Sequence, residues 1–368
     1  MSKRILQIIP TLDRGGAEKQ LTLLATHLPR DEFDVHVCVL TRDGPLRAEL
    51  DAAGVPVTVI GKRLKIQPQA YWRLKSHVRR LDPDLVHTWL FAANAYGRQA
   101  AFACGVPAVV AGERCVDPWK AWYQLAIDRW LARRTQRIVT NTPAVRQFYV
   151  RHGLPADKFS VIPNCVPSPP DQPPATREEV LAELGLPADA RLIGAVGRLW
   201  PQKRIKDLIW ATELLTRVRD DAHLIIIGEG PHRWRLIRYR DLVGTIKHVH
   251  FLGHRDDMPR LMPHFDVICL ASQYEGQSNA VMEAMAAGVP VVASDIPGNR
   301  DLVVPEQTGY LVPVGERAEF ARWVHQLLNN TDLARRMGEA GRRRMREHFT
   351  VENMVNGYVD LYRELLDV

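Results

Sequence analysis

The sequence predicts an α/β protein built from two doubly wound domains, and three observations carry that expectation. The chain has 368 residues, more than one hydrophobic core usually sustains. Short apolar runs of strand length alternate with helical segments in both halves, the pattern of parallel sheets covered by crossover helices. Between the halves lies Pro167-Ser-Pro-Pro-Asp-Gln-Pro-Pro174, too proline-rich for helix or strand and therefore read as a linker.

In the first half, residues 5–9 form a buried strand that runs into Thr11-Leu-Asp-Arg14-Gly15-Gly16-Ala17-Glu18, with a helix over 19–28. Paired glycines between strand and helix let backbone amides approach a ligand. GxGxxG is absent, and a plain tight turn fits the same residues. A strand over 35–40, a helix over 44–53 and a strand over 57–60 follow. The next strand starts at Asp84 and ends at His87, ahead of a helix over 91–104. Strand carboxyl ends line the crevice of an open α/β sheet, so His87 is a candidate ligand contact; a hydrogen-bonded core histidine is the alternative. A further strand spans 107–111. The amphipathic segment 119–134 sets Trp119, Trp122 and Trp130 beside Arg129, Arg133 and Arg134, the composition of an interfacial helix that would rest on anionic lipid. Internal packing of the tryptophans is the competing reading. Residues 137–140 are a strand, and 161–167 close the first domain.

In the second half, Thr176 caps a helix that Gly185 stops. The strand 191–196 leads into Gly197-Arg198-Leu-Trp-Pro-Gln-Lys203-Arg204. Arginine forks across phosphate oxygens and lysine supplies a mobile point charge, so this turn suits a diphosphate, or is simply a solvated basic turn. Strands over 222–227 and 249–253 flank a helix over 233–242, and Gly253-His254-Arg255 leaves the second of them. A short helix over 257–262 precedes a strand over 266–272.

Then comes the stretch around which the second half is arranged, Glu275-Gly-Gln-Ser-Asn-Ala-Val-Met-Glu283-Ala-Met-Ala-Ala-Gly288-Val-Pro290. It holds a short helix with Ser278 and Asn279 in its first turn, ended by Gly288, between that strand and another over 289–294. Helix amide ends favour an anion and carboxylates accept from hydroxyls; Glu275 and Glu283 flank the helix start. A ligand with a diphosphate and sugar rings would use both. A strand over 309–312, helices over 316–329 and 331–347, and a terminal segment over 351–366 complete the chain.

Composition narrows the setting. A formal net charge of +7 favours anionic partners, but no nucleic-acid reader motif occurs. Five scattered cysteines with no CxxC suggest reduced thiols and a cytoplasmic protein. The opening strand is too short for a signal segment, and no apolar run reaches bilayer length, so any membrane attachment is expected to be peripheral. No histidine or cysteine spacing suggests a metal.

Taken together, Arg14-Gly-Gly-Ala-Glu18, Gly197-Arg-Leu-Trp-Pro-Gln-Lys203 and Glu275 through Glu283, in that order and at that spacing, resemble a retaining glycosyltransferase of the GT-B superfamily, family 4. The resemblance runs from Ile5 to the end. It implies two Rossmann-like domains facing a central cleft: residues 1–168 plus 350–368 on the acceptor side, with a terminal helix crossing back, and 175–349 for the nucleotide-sugar donor. It further implies that Arg198 and Lys203, after Gly197, meet the donor diphosphate, that Glu283 holds the ribose, and that Glu275 faces the transferred sugar. Gly276, Ser278 and Asn279 would hold pyrophosphate and sugar, and His254 and Arg255 would pass the base, mainly through backbone. Gly15 and Gly16 would approach phosphate or acceptor, and His87 would position the reacting centre. Three departures stand out: Asn164-Cys165 for the usual Asn-Gly, Arg204 for a glycine, and Pro297-Gly298 for Gly-Gly.

The resemblance implies retention by same-face attack, with no protein nucleophile, cofactor or metal. The donor would be UDP-linked by default, with GDP as the alternative, and the sugar a hexose or N-acetylhexosamine. The acceptor would be a glycan or lipid-linked glycan of polysaccharide or lipopolysaccharide synthesis. The oligomeric state is open. A nucleotide-sugar epimerase, which needs no acceptor, and a non-catalytic sugar-nucleotide or lipid binder, which shows no turnover, are the other readings.

Overall fold

The structure, a computed structural model, describes residues 2–169 and 175–367; the later part of the proline-rich linker, 170–174, lies outside them. The chain divides into two compact units, Met1–Cys165 with Val351–Val368, and Val166–Thr350.

The first unit holds β1 (Lys3–Thr11), β2 (Phe33–Arg42), β3 (Val57–Val59), β4 (Leu85–Trp89), β5 (Ala108–Glu113), β6 (Arg137–Thr140) and β7 (Phe159–Val161). They form one parallel sheet in the order β3-β2-β1-β4-β5-β6-β7. Side chains alternate across it: Ile5 and Ile9 enter a core shared with the helices Gly16–His27 and Val351–Leu366, whereas Leu6 and Ile8 enter one shared with Pro68–Leu81 and Leu90–Cys104. Covered on both faces, the strands must be apolar almost throughout. The order reverses between β1 and β4, which makes their carboxyl ends the switch point.

The second unit repeats the plan with β8 (Arg191–Val196), β9 (Ala222–Ile227), β10 (Val249–Gly253), β11 (Val267–Leu270), β12 (Val291–Ser294) and β13 (Gly309–Val312), in the parallel order β10-β9-β8-β11-β12-β13. Ile225 and Ile227 face one core, and Leu224 and Ile226 the other. Its switch point lies between β8 and β11. Helix Arg177–Leu184 carries a full capping box, with Glu179 N donating to Thr176 Oγ1 and Thr176 N to Glu179 Oε2, and ends on left-handed Gly185.

Helices Pro68–Leu81 and Pro143–Arg151 stand where the sequence reading assigned no element, and Ile205–Leu215 follows the basic turn after β8. Two of them open on proline, which breaks a helix interior but fits its first position, where an amide is unpaired anyway. The segment 119–134 is helical only over Trp122–Ala132. Trp119, Trp122 and Trp130 are all exposed, which overturns the internal-packing reading of those tryptophans.

Candidate active site

At the second switch point two loops meet. Beyond β8, Gly197 has φ 151°, a backbone state that disfavours any side chain, and the chain turns through Pro201–Lys203 into the helix Ile205–Leu215. Beyond β11, residues 271–278 lead to the helix Asn279–Ala286. Lys203 Nζ lies 2.5 Å from Glu275 Oε1, both mostly shielded from solvent. Gln202, quoted in the motif but not singled out, ties the loops: its side-chain Nε2 donates to Tyr274 O (2.7 Å), and its backbone carbonyl accepts from Gln273 N (2.9 Å). Arg198 is exposed and forms no ion pair among the described residues. The basic turn and the acidic loop therefore share one place.

Ser278 is the N-cap of Asn279–Ala286, yet its side chain makes no capping bond. Ser278, Gln277 and Gly276 are buried, while Asn279 and Glu283 are partly exposed. Gly298 explains the fixed loop. A Cβ there would sit 1.5 Å from the Gly276 carbonyl oxygen, so only glycine lets the two backbones touch. Pro297 takes the first position of Pro297–Arg300, where its missing N–H is harmless. Arg204 keeps a glycine-like left-handed conformation, φ 49°, at a cost of about 1–2 kcal/mol. Its Nε bonds buried Asp207 (2.6 Å), which Arg317 also holds (2.7 Å).

His254 and Arg255 follow β10, two strands from β8 and so about 10 Å along the sheet. His254 Nε2 is 3.0 Å from Asp256. Arg255 is committed to Asp257 and Glu183, which Arg260 also binds, leaving backbone rather than guanidinium for a ligand.

In the first unit, Gly15 caps the helix Gly16–His27 beside the β1/β4 switch point. Glu18 folds back over this turn: it accepts from Thr11 Oγ1 (3.2 Å), and a Cβ on Gly15 would lie 2.1 Å from its Oε2. An anion arriving there must displace a carboxylate.

His87, in β4, is fully buried among Trp89, Tyr358 and Tyr362. Trp89 Nε1 donates to Gln7 Oε1 (2.7 Å), Gln7 Nε2 donates to Tyr362 Oη (2.9 Å), and that hydroxyl lies 2.7 Å from His87 Nδ1. With Nδ1 engaged by that hydroxyl, His87 Nε2 is left as a buried atom with no partner among the described residues. Burial, aided by Arg114, pulls the His87 pKa well below the ordinary value. The ring is neutral, hydrogen-bonded and enclosed, the arrangement of a core histidine, and is not placed to donate a proton as a cation. Tyr362 and Gln7 were missed by the sequence reading, because both act through partners far away in the chain.

The Asn164-Cys165 departure is accommodated. Gln20 bonds both backbone groups of Cys165 (2.8 and 2.9 Å), Arg114 holds the Asn164 side chain, and Cys165 needs no positive φ. Also unforeseen is a buried charge cluster beyond β5: Lys120 Nζ lies 2.9 Å from Asp128, 3.2 Å from Glu113 and 3.8 Å from Asp117, while Arg98 holds Asp128 from the other side. The Tyr149 hydroxyl reaches into it, 2.8 Å from Glu113 and 3.0 Å from Asp117, with one proton for the two carboxylates. Among the described residues no helix is long and apolar enough to cross a membrane, and no cluster of three or more His, Cys, Asp or Glu could hold a metal.

Comparison with known proteins agrees with this geometry. A family model described as glycosyltransferase family 4 matches residues 14–168, and one described as glycosyl transferases group 1 matches 176–344. A GDP-mannose-dependent alpha-mannosyltransferase of Mycobacterium tuberculosis is 30% identical over 330 residues, covering 82% of this chain and 81% of that protein. The UDP-Gal:alpha-D-GlcNAc-diphosphoundecaprenol alpha-1,3-galactosyltransferase of Escherichia coli is 28% identical over 379 residues, covering 98% and 96%. Among solved structures, Anabaena HepE in complex with UDP-glucose superposes with a TM-score of 0.89 at 22% identity, covering 98% of this chain and 99% of that one. That likeness establishes the GT-B fold. The two models abut across the linker, and the chain belongs to the family 4, group 1 glycosyltransferases.

Proposed function

We propose that the protein transfers a hexose or N-acetylhexosamine from a nucleoside-diphosphate sugar, UDP-linked, to a hydroxyl of a glycan or lipid-linked acceptor, with retention of anomeric configuration. The observation that carries this is the meeting of the Arg198–Lys203 turn and the Glu275–Glu283 loop at one switch point. A diphosphate brings more negative charge than one carboxylate, so it competes for Lys203 and frees Glu275 to accept from sugar hydroxyls. Arg198, exposed and in no ion pair among the described residues, forks onto the same phosphates. Amides at the start of Asn279–Ala286 and the Ser278 hydroxyl add donors. Glu283 accepts from the ribose. As the glycosidic bond breaks, charge grows on the leaving diphosphate, where these groups favour the transition state over the ground state.

The relatives' names support a nucleotide-linked donor and, in the Escherichia coli protein, a diphosphoundecaprenol acceptor. The same reading places the protein in the cytoplasm, peripheral to the inner face of the membrane, working without cofactor or metal. The test is a panel of UDP- and GDP-sugars with polyprenyl-linked and soluble acceptors, read by mass spectrometry for a new glycoside. Donor altered without acceptor would indicate epimerisation and overturn transfer. Glu283→Ala should lose donor affinity with the fold intact; unchanged affinity rejects the ribose role.

A further inference from the structure

We propose that the second unit carries a structural site for a zinc-like divalent cation at the amino edge of its sheet, formed by His223 on β9 and His250 on β10 with the Lys247 carbonyl. The proposal goes beyond the transferase reading: the site lies at the strand ends opposite the candidate donor loops and takes part in no step of transfer.

Strand geometry brings the histidines together. Successive side chains of a strand point to opposite faces, so His248 and His250 share one. Strands β9 and β10 are parallel and pair Leu224 with Val249 and Ile225 with His250. Leu224 N also donates to His248 O (2.7 Å). One residue back, His223 therefore stands level with His248 and diagonal to His250, on the same face. The rings meet accordingly. His223 Nδ1 lies 3.2 Å from His250 Nε2, and the centroid of His223 is 5.3 Å from that of His250 and 5.3 Å from that of His248. The Lys247 carbonyl reaches both His223 and His250, so an oxygen donor stands beside the two nitrogens.

The spacing is that of two ligands on one ion. Zinc–imidazole bonds of about 2.0–2.1 Å in a tetrahedral shell put two coordinating nitrogens about 3.3 Å apart. Ligation also needs neutral imidazoles. Burial first, and the adjoining imidazoles next, lower both rings, His250 to about 4, so each has a lone pair to offer at neutral pH. His248 Nδ1 donates to Ala222 O (3.0 Å), which holds that ring stacked against His223 and fixes its place. Asp221 and Asp189 lend negative charge on the His223 side, against Arg240 on the His250 side. Affinity therefore rests on the imidazoles and not on net charge. Two imidazoles and an oxygen, with water completing the shell, select zinc over magnesium and calcium, which take oxygen ligands. Strand β10 is the outermost of its sheet, with β9 its only neighbour. A cation between His223 and His250 clips that edge strand in place.

The test is isothermal titration of the EDTA-treated, dialysed full chain with zinc chloride, and thermal unfolding with and without zinc or magnesium. The wild type should take up zinc and unfold at a higher temperature with it, while magnesium should leave the unfolding temperature unchanged. His223→Gln and, separately, His250→Gln should each weaken zinc binding at least about tenfold, with unchanged circular dichroism in EDTA. His250 is partly exposed on an edge strand, so a fold defect in the variant of the more buried His223 leaves the other to decide. No zinc uptake by the wild type would mark the pair as an ordinary hydrogen bond between neutral rings and overturn the proposal. Undiminished binding by both variants, or an equal response to magnesium, would overturn it too. Donor turnover in EDTA is a separate readout, so loss of this proposal and loss of the transferase reading are distinguishable.

Discussion

Replacing Asp117 by asparagine should stabilise the first unit at neutral pH and leave it unchanged in acid. Asp117 lies 3.0 Å from the Tyr149 hydroxyl, whose proton it shares with Glu113, and 3.8 Å from Lys120. The nearby ammonium alone would hold its pKa down. Instead burial, first, and the Glu113 carboxylate, second, push it up from 3.8 to about 6. The unfavourable effects prevail because Lys120 is closer to Asp128 and Glu113 than to Asp117. Since the folded state holds this proton more tightly than the unfolded chain, unfolding releases it, and stability falls as pH rises from about 4 to about 6. At about 1.4 kcal/mol per pKa unit, the charged form costs about 3 kcal/mol once pH exceeds 6. Asparagine keeps the acceptor for Tyr149 and removes the charge. Urea unfolding followed by circular dichroism should show Asp117→Asn more stable by up to about 3 kcal/mol near pH 7.5 and equal to wild type near pH 4. A stability change of the same size at both pH values, or a loss near pH 7.5, would refute the reasoning.

Other outcomes follow from the same contacts. Arg198→Ala with Lys203→Ala should cut turnover about 10²- to 10³-fold, measured as glycoside formed at saturating donor; normal turnover sinks their charge-stabilising role. Gly298→Ala forces a methyl into the Gly276 carbonyl and should cost about 1–3 kcal/mol and weaken nucleotide binding by calorimetry; a variant matching wild type in both would show that the loops are not locked there. Tyr362→Phe leaves Gln7 and His87 short of a partner and should cost about 1–3 kcal/mol in thermal or urea unfolding. Because burial holds His87 neutral, the pH profile of turnover should show no titration from that ring near its ordinary value; a transition that vanishes in His87→Gln would contradict this.

Much of the architecture was legible because burial on both faces of a parallel sheet leaves a repeated mark in the chain. Strands β6, β8 and β13 and helices Arg177–Leu184 and Arg233–Leu242 fall where periodicity, caps and glycine stops put them. The helices missed at Pro68 and Pro143 show the limit of a local signal, since the same residue ends one helix and begins another. The candidate donor loops could be singled out because the residue types suited to phosphate and hydroxyl lie close together in sequence.

By itself, then, the sequence determined the alternation of strand and helix, the two doubly wound layers and the chemical character of the loops after β8 and β11. Only the tertiary structure decided which partners those side chains take. Lys203 finds Glu275 across 72 positions, Gln20 holds Cys165 across 145, His87 is enclosed by the terminal helix, and Lys120 turns inward while Trp119 and Trp122 turn out. Periodicity records which face of an element is buried, but the fate of a single polar or aromatic side chain depends on neighbours brought to it from distant parts of the chain. That information exists only once the sheets have closed and their strand ends have been set side by side.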